Sequence, residues 1–250
     1  MEKIDLKKLK KICQPKNITS RGVEHWFGPY YRKISLYITW ILIHFKTLTP
    51  NTITTFGVLL GSLGGFLILI PNYLGIILFF LAFQLWALLD YVDGEVARAT
   101  NRKSLSGPYI DLLGHFTIYF GIFTPIGLKI NYLLNDYLFI ILGLFLTFLG
   151  ILIHIPEIAM NVILYKEKKE ILFKGTEKSD NPIIAIYRAL IGPIEISIIT
   201  ITLLLISPKL SVHNQSNLWL IFFGFYIFLF ISSFLLSIYR SKKELDNTHI

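Results

Sequence analysis

Residues 73–98, YLGIILFFLAFQLWALLDYVDGEVAR, and residues 108–131, PYIDLLGHFTIYFGIFTPIGLKIN, are two apolar runs joined by the short polar segment ATNRKSLSG. Each run is long enough to cross the ~30 Å hydrocarbon core of a bilayer as an α-helix. A connection this short folds the second helix back beside the first. The stretch therefore predicts an antiparallel pair of membrane-spanning helices that carries its charged residues at one end.

The rest of the chain has the same character. Of its 250 residues, 54% are hydrophobic, and the mean hydropathy is +0.60. A soluble domain of this length could not bury so much apolar surface. We predict an all-α integral membrane protein in which an N-terminal interfacial amphipathic helix precedes six transmembrane helices. The six spans are expected near 51–70, 73–98, 108–131, 136–164, 183–206 and 216–240.

The N-terminal region is expected to lie on the membrane rather than across it. Its apolar stretch ISLYITWILIHF, within residues 21–46, is too short to span and is flanked by basic residues. A short seventh spanning helix is the alternative. Pro50, with Thr49 as N-cap, marks the start of the first span. The expected divisions are a cytoplasmic basic arm with the interfacial helix (1–48), a six-helix membrane domain (49–240) and a cytoplasmic tail (241–250).

The charge distribution predicts the orientation. The chain has 24 lysines and arginines and a net charge of +8. The basic residues are concentrated before residue 48, in 98–107, in 166–182 and after residue 239, which fall on one side of a six-span map. By the positive-inside rule that side is cytoplasmic, and an odd span count would break the separation. We therefore expect a protein of the cytoplasmic membrane, with both termini in the cytoplasm and basic loops facing anionic lipid rather than nucleic acid.

Ionisable residues are concentrated where the helix pair is joined. Asp90 and Asp93 are three residues apart near the end of one span, and Asp111 and His115 are four apart near the start of the next. Each pair therefore occupies one helix face. Ionisable groups in a span cost several kcal/mol and indicate function by default. We expect the two faces to converge at the cytoplasmic membrane edge.

A cluster of this composition would repel itself unless cations fill it. Carboxylate oxygens suit Mg²⁺ or Mn²⁺, whose coordination phosphate oxygens would complete. The small residues Gly94, Ala97 and Gly107 would let a nucleotide approach the backbone closely. The alternative to a metal site is that these acidic side chains only cap helix ends and extend toward the membrane surface.

These residues resemble the signature of the CDP-alcohol phosphotransferases, D-x2-D-G-x2-A-R-x8-G-x3-D-x3-D. A second feature of that family, Pro-Asn-x-x-Thr at the start of the first span, is matched by Pro50, Asn51 and Thr54. The resemblance covers the interfacial helix and all six predicted spans. The signature positions matched here are Asp90, Asp93, Gly94, Ala97, Arg98, Gly107 and Asp111.

The resemblance implies a reaction and roles for these residues. The three aspartates would bind two divalent cations, Mg²⁺ or Mn²⁺, that clamp the diphosphate of a CDP-linked donor. An acceptor alcohol, lipid or polar, would attack the phosphorus bonded to the donor alcohol and release CMP. The resemblance also raises a homodimer as a candidate assembly. The nucleotide-binding set implied is Asp90, Asp93, Gly94, Ala97, Arg98, Gly107, Asn51 and Thr54.

The last signature position departs from the family, because His115 stands where relatives have an aspartate that is their proposed general base. Imidazole titrates near neutral pH and can act as a base or as a metal ligand. The first hypothesis is that His115, beside Asp111, keeps the catalytic role or binds metal. The second is a changed acceptor, or a family member that binds nucleotide without turnover.

Five residues are weaker candidates for contacting the acceptor. Arg188, near the start of the fifth span, could receive an acceptor phosphate, with snorkelling as the alternative. Arg102 and Lys103 lie between the two acidic helices, and His154 and Glu157 are polar residues within the fourth span.

Other function classes fit the pattern less well. Membrane prenyltransferases also bind a diphosphate through aspartate-held magnesium, but their acidic motifs are two and far apart in sequence. A channel or transporter would place its ionisable groups near the middle of the membrane, whereas the cluster here lies at a helix–loop–helix edge.

Overall fold

The computed structural model describes residues 5–15, 28–44, 48–102, 104, 106–168, 190 and 192–248. Within these ranges the chain forms helices and short turns and contains no strand. The predicted all-α class is therefore confirmed. The helices are α1 (Leu6–Cys13), α2 (Gly28–Leu42), α3 (Pro50–Gly64, continued by a 3₁₀ turn, Gly65–Leu69), α4 (Asn72–Thr100), α5 (Ser106–Leu134), α6 (Leu138–Leu152), α7 (Ile155–Lys168), α8 (Pro193–Ile206, followed by a 3₁₀ turn, Ser207–Lys209) and α9 (Val212–Thr248).

Five segments of the described chain are long and apolar enough to cross a membrane. They correspond to the first four and the last of the predicted spans. The predicted fifth span begins at residues outside the described part, and its described helix, α8, has 14 residues. Helix α2, with 15 residues, is not among the five. The five segments are Pro50–Leu69, Asn72–Thr100, Tyr109–Leu134, Leu138–Ile163 and Val212–Asp246.

The start of α3 agrees with the sequence prediction. Thr49 is the N-cap, and its side-chain oxygen accepts a hydrogen bond from the backbone N–H of Thr52 at 3.2 Å. Pro50 follows at the first helical position, where a missing N–H costs nothing. This cap fixes the orientation of the α3 N-terminus, which carries Asn51 and Thr54.

Asparagines reverse the chain at three places. Asn72, Asn101 and Asn135 have φ values of 66°, 53° and 53°, in the left-handed region that asparagine tolerates better than most residues. The turns at Asn72 and Asn135 bring α4 back beside α3 and α6 back beside α5, whereas α5 packs against α3 rather than against α4. The sequence predicted α4 and α5 as packed neighbours, but α3 takes that place because its small residues let α5 approach it closely, and α2 packs against α4.

Glycines set the spacing of these helices. A Cβ placed on Gly65 would lie 1.6 Å from the carbonyl oxygen of Gly121, so α5 meets the end of α3 backbone to backbone. A Cβ on Gly127 would lie 2.4 Å from the Phe139 carbonyl oxygen where α5 crosses α6. Small residues at such crossings are how membrane helices approach closely. The α3–α5 contact brings the α3 N-terminus beside the acidic ends of α4 and α5.

The predicted fourth span, 136–164, is not one continuous helix. It divides into α6 and α7 at Ile153 and His154. Pro156 is the second residue of α7 and has no N–H to bond back across the junction, so the helix is interrupted there. The break places His154 at a helix junction rather than within a regular span. The last helix differs in length, because α9 continues to Thr248, beyond the predicted end at residue 240.

Candidate active site

An open cleft of about 540 Å³ lies where the end of α4 and the start of α5 meet the N-terminus of α3. Its volume is within the range of small-molecule sites. Every residue predicted to bind nucleotide lines this cleft. The lining is formed by Pro50, Asn51, Thr54, Asp90, Asp93, Gly94, Ala97, Arg98, Arg102, Ser104, Gly107 and Asp111.

The three signature aspartates converge at the inner side of the cleft. The carboxyl groups of Asp90 and Asp111 approach each other from α4 and α5, and Asp93 is close enough to interact electrostatically with both. Thr54 donates a hydrogen bond from its hydroxyl to the Asp93 carboxylate. Like charges this close repel one another unless a proton or a cation lies between them. The three carboxyl groups, two from α4 and one from α5, therefore form a small acidic chamber. The spacing of the aspartates predicted this convergence.

The donor chemistry of this chamber suits a hard divalent cation, since Mg²⁺ and Mn²⁺ favour carboxylate oxygens. In the part of the chain that the structure describes, no group of three His, Cys, Asp or Glu side chains is already arranged around one ion position. Coordination would therefore need rotation of the aspartate side chains, which the open cleft permits. The oxygen donors and their position in the cleft fit a divalent cation. The three aspartates remain predicted ligands.

Asn51 organises the connection between α4 and α5. Its side-chain N–H₂ donates to the Ser106 hydroxyl at 2.8 Å, and its oxygen accepts from the Ser104 hydroxyl at 3.1 Å. Ser104 in turn accepts from the backbone N–H of Gly107 at 3.1 Å. Asn51, at the start of the first span, therefore holds the rim of the cleft in place, a role that the sequence analysis did not assign to it.

Arg98 is held by residues 6–14, which are called the N-terminal arm below. Its Nε–H donates to the backbone carbonyl of Cys13 at 2.7 Å, while its side chain lines the cleft. A Cβ on Gly94 would come within 3.1 Å of Nη1 of Arg98. Glycine at that position leaves space for the guanidinium group to lie over the helix.

His115 lies in a smaller recess beside the cleft, together with Asp90, Asp93 and Asp111. Its Nε2 is 3.7 Å from Oδ1 of Asp111, beyond ordinary hydrogen-bond distance. Its ring stacks on that of His154, with centroids 6.0 Å apart. The Nε2 atom of His154 is buried and has no hydrogen-bond partner among the described residues.

The other predicted acceptor residues are distributed differently. Arg102 lines the cleft. Glu157 lies in the first turn of α7, one turn beyond His154. Arg188 and Lys103 lie outside the described residues.

The sequence analysis did not predict the contacts that the N-terminal arm makes with α4, the helix that carries Asp90 and Asp93. Glu95, at a variable position of the signature, is fully buried and accepts hydrogen bonds from Gln14, Ser35 and Thr39. A glutamate within an apolar helix indicates that polar partners lie nearby, because a buried carboxylate requires them. The spacing of residues along the chain does not show which segment supplies those partners.

Comparison with known proteins adds two findings. A family model described as CDP-alcohol phosphatidyltransferase matches residues 47–228. A protein of Aquifex aeolicus (strain VF5), described as uncharacterized, is 43% identical over 63 residues, which are 25% of this chain. The match spans 31% of that relative's length.

Proposed function

The chain belongs to the CDP-alcohol phosphatidyltransferase family, and from this we propose that it transfers a phosphoalcohol or phosphatidyl group from a CDP-linked donor to an acceptor alcohol and releases CMP. The family comprises transferases of phosphate-containing groups, with roles in lipid synthesis. The observation that carries the proposal is the single cleft shared by three aspartates, Arg98 and the small signature residues. An anionic diphosphate needs both cationic and close backbone contacts, and this cleft can offer both.

The nucleotide half of the substrate fits the outer part of the cleft. Gly94, Ala97 and Gly107 leave the backbone uncovered, which suits the flat cytosine ring. Arg98 projects its terminal nitrogens toward the same space and would bind phosphate oxygens, for which guanidinium is well shaped. Asn51 keeps the rim of the cleft in position through its hydrogen bond to Ser106, and Thr54 does the same for Asp93.

The diphosphate would lie at the acidic chamber. Three carboxylates would repel it, so Asp90, Asp93 and Asp111 are proposed to hold two divalent cations, Mg²⁺ or Mn²⁺. Binding such an ion is the alternative to a role as base for His115. Such ions, when bound, neutralise the charge that develops on the diphosphate as CMP leaves. Thr54 keeps the Asp93 carboxylate at the chamber through the hydrogen bond from its hydroxyl.

The acceptor half of the reaction is assigned to His115. As the acceptor hydroxyl oxygen forms a bond to the phosphorus that carries the donor alcohol, the bond from that phosphorus to the oxygen of CMP breaks. His115 would take the hydroxyl proton, since its ring lies in the recess that adjoins the chamber. His154 Nε2, without a partner among the described residues, could accept or donate a hydrogen bond to the same hydroxyl.

The remaining parts of the proposal concern the surroundings of the site. Arg102, at the cleft, and Lys103 and Arg188, outside the described residues, are proposed to guide an anionic acceptor; Glu157 is a further acceptor candidate. The cleft and both termini are proposed to face the cytoplasm, as the distribution of basic residues suggests. A homodimer is the proposed assembly, which native mass spectrometry from nanodiscs tests.

A screen of CDP-linked donors against lipid and polar acceptors tests the function directly. The purified protein in nanodiscs should release CMP in proportion to the transferred product when Mg²⁺ or Mn²⁺ is present. Excess EDTA should stop the release, and fresh metal should restore it. CDP binding without CMP release from any pair would favour the inactive, nucleotide-binding alternative that the His115 substitution raises. Absence of CDP binding would contradict both.

A further inference from the structure

Glu95 is a fully buried carboxylate on α4, between the cleft residues Gly94 and Arg98 in sequence. Its Oε1 accepts from Nε2 of Gln14 at 2.6 Å and from the Ser35 hydroxyl at 2.9 Å. Its Oε2 accepts from the Thr39 hydroxyl at 2.8 Å. A buried carboxylate is tolerated only when its oxygens are satisfied in this way. One side chain thus joins the end of the arm, α2 and the signature helix.

A second set of contacts joins the arm to the same helix. The Cys13 carbonyl accepts from Nε of Arg98 at 2.7 Å, and the Cys13 thiol donates to the Glu95 carbonyl at 3.4 Å. Leu9 and Cys13 are buried together with Val92 and Val96 of α4. The arm therefore covers the side of α4 that faces away from the cleft, and its last residues reach Arg98 at the cleft margin.

Cys13 and Gln14 are neighbours in the chain, so the two sets of contacts are mechanically linked. Whatever holds Gln14 also holds the carbonyl that restrains Arg98. An arginine tethered through Nε keeps its two terminal nitrogens for a ligand. It also loses less rotamer freedom when a phosphate binds than an untethered arginine would.

We infer that Glu95 is a positioning residue and that residues 6–14 are a structural part of the nucleotide site: Glu95 holds the arm through Gln14, and the arm holds Arg98 for the diphosphate. The inference rests on the proposed function, because it assigns Arg98 a phosphate ligand. It extends that function by making the basic arm a requirement for nucleotide affinity rather than a membrane contact alone.

The test uses the full-length protein in nanodiscs, with CDP and Mg²⁺ as the binding probe. Glu95→Gln places an amide against the donors of Gln14, Ser35 and Thr39, and Gln14→Ala removes the link from the arm side. Both variants should weaken CDP binding about tenfold. They should also speed alkylation of Cys13, the single cysteine of the chain.

Asp136→Asn is the matched control. Asp136 is acidic, caps α6 by accepting from the Leu138 N–H at 2.9 Å, and lies at the opposite end of α5 from the cleft. This variant should leave both CDP affinity and Cys13 alkylation unchanged. Gln14→Ala lies outside the spans and keeps the test decisive if Glu95→Gln fails to fold.

A background variant distinguishes positioning from a general structural role. In Arg98→Ala protein, Glu95→Gln should cause no further loss of CDP affinity, because its effect passes through Arg98. Additive losses would overturn the inference, as would unchanged CDP affinity in both Glu95→Gln and Gln14→Ala. These outcomes contradict the inference while wild-type CDP binding upholds the proposed function. A wild-type protein that does not bind CDP would remove both.

Discussion

The imidazole rings of His115 and His154 stack with their centroids 6.0 Å apart and an interplanar angle of 25°. His115 comes from α5, beside Asp111, and His154 from the junction of α6 and α7. Phe116 and Tyr119 complete the surroundings of His154. His115 therefore has a second histidine beside it. We propose that this pair forms the acceptor side of the site.

His115→Ala should lower kcat for CMP release by about 10²–10⁴-fold, the usual contribution of a general base. The loss follows because the other titratable groups that line the recess, Asp90, Asp93 and Asp111, are proposed to hold the cations and would not be free to take the acceptor proton. His115→Asp keeps a group that can accept a proton at this position and should retain much of the turnover. His213→Ala is the control, since His213 is exposed on α9 and its Nε2 lies 3.2 Å from Nδ2 of Asn217. Unaltered turnover of His115→Ala would reject the assignment.

His154→Phe should raise KM for the acceptor about tenfold and leave CDP affinity unchanged. Phenylalanine preserves the ring packing against Phe116 and Tyr119 but removes the nitrogen that has no partner among the described residues. Steady-state kinetics with the acceptor varied at saturating donor measures this. An equal loss of CDP affinity would show that the substitution disturbs the whole site instead.

Asp93→Asn should lower activity at least about a hundredfold while leaving the fold intact. The substitution removes a charged ligand from the chamber but keeps its size, and the side chain lies at the edge of the bundle. CMP release measures activity, and thermal unfolding in nanodiscs measures stability. Wild-type rates in this variant would contradict the metal assignment; a large fall in melting temperature would show that the charge is structural.

Thr54→Val should weaken CDP binding in the presence of Mg²⁺ about tenfold, because Asp93 loses its hydroxyl donor. Valine has nearly the same shape, so packing of this buried position is preserved. Thr54→Ser retains the hydroxyl and should restore most of the affinity. Equal affinities for the valine and serine variants would show that the Thr54–Asp93 hydrogen bond is unimportant for binding.

Cys13 should resist alkylation in the native protein. Burial, and secondarily the negative charge of Glu95, raise the pKa of its thiol to about 12 from 9.0. At pH 8 the native thiolate should be about a thousandfold scarcer than in the unfolded chain, and only the thiolate reacts. The neutral thiol favours the folded arm below pH 9, and this contribution is lost as the pH rises from 9 toward 12.

Iodoacetamide labelling at pH 8, with and without denaturant, measures this difference on the single cysteine. Within the native state, the rate should rise about tenfold for each pH unit between 8 and 10. Native and denatured rates within a factor of ten of each other at pH 8 would show that the arm does not cover Cys13 in solution.

The helices and the acidic chamber followed from local pattern. The length of apolar runs determines which segments can span a bilayer, and the spacing of Asp90, Asp93 and Asp111 determines which faces carry them. The N-cap at Thr49 was also predictable, because it depends on residues next to it in the chain. The break at His154 was only partly foreseeable, because a proline near a helix middle sometimes kinks it and sometimes ends it.

Sequence alone determined that this chain is a helical membrane protein with an acidic cluster carried by two successive helices, because hydrophobic length and helical periodicity act over a few neighbouring residues. Only the tertiary structure decided that His154 stacks on His115 and that Cys13 and Gln14 hold Arg98 and Glu95. Those contacts join residues far apart in the chain. The histidine contact depends on the crossing of α5 and α6, where glycines let the backbones meet. The arm contacts depend on the packing of Leu9 and Cys13 against Val92 and Val96, and no local pattern encodes either geometry.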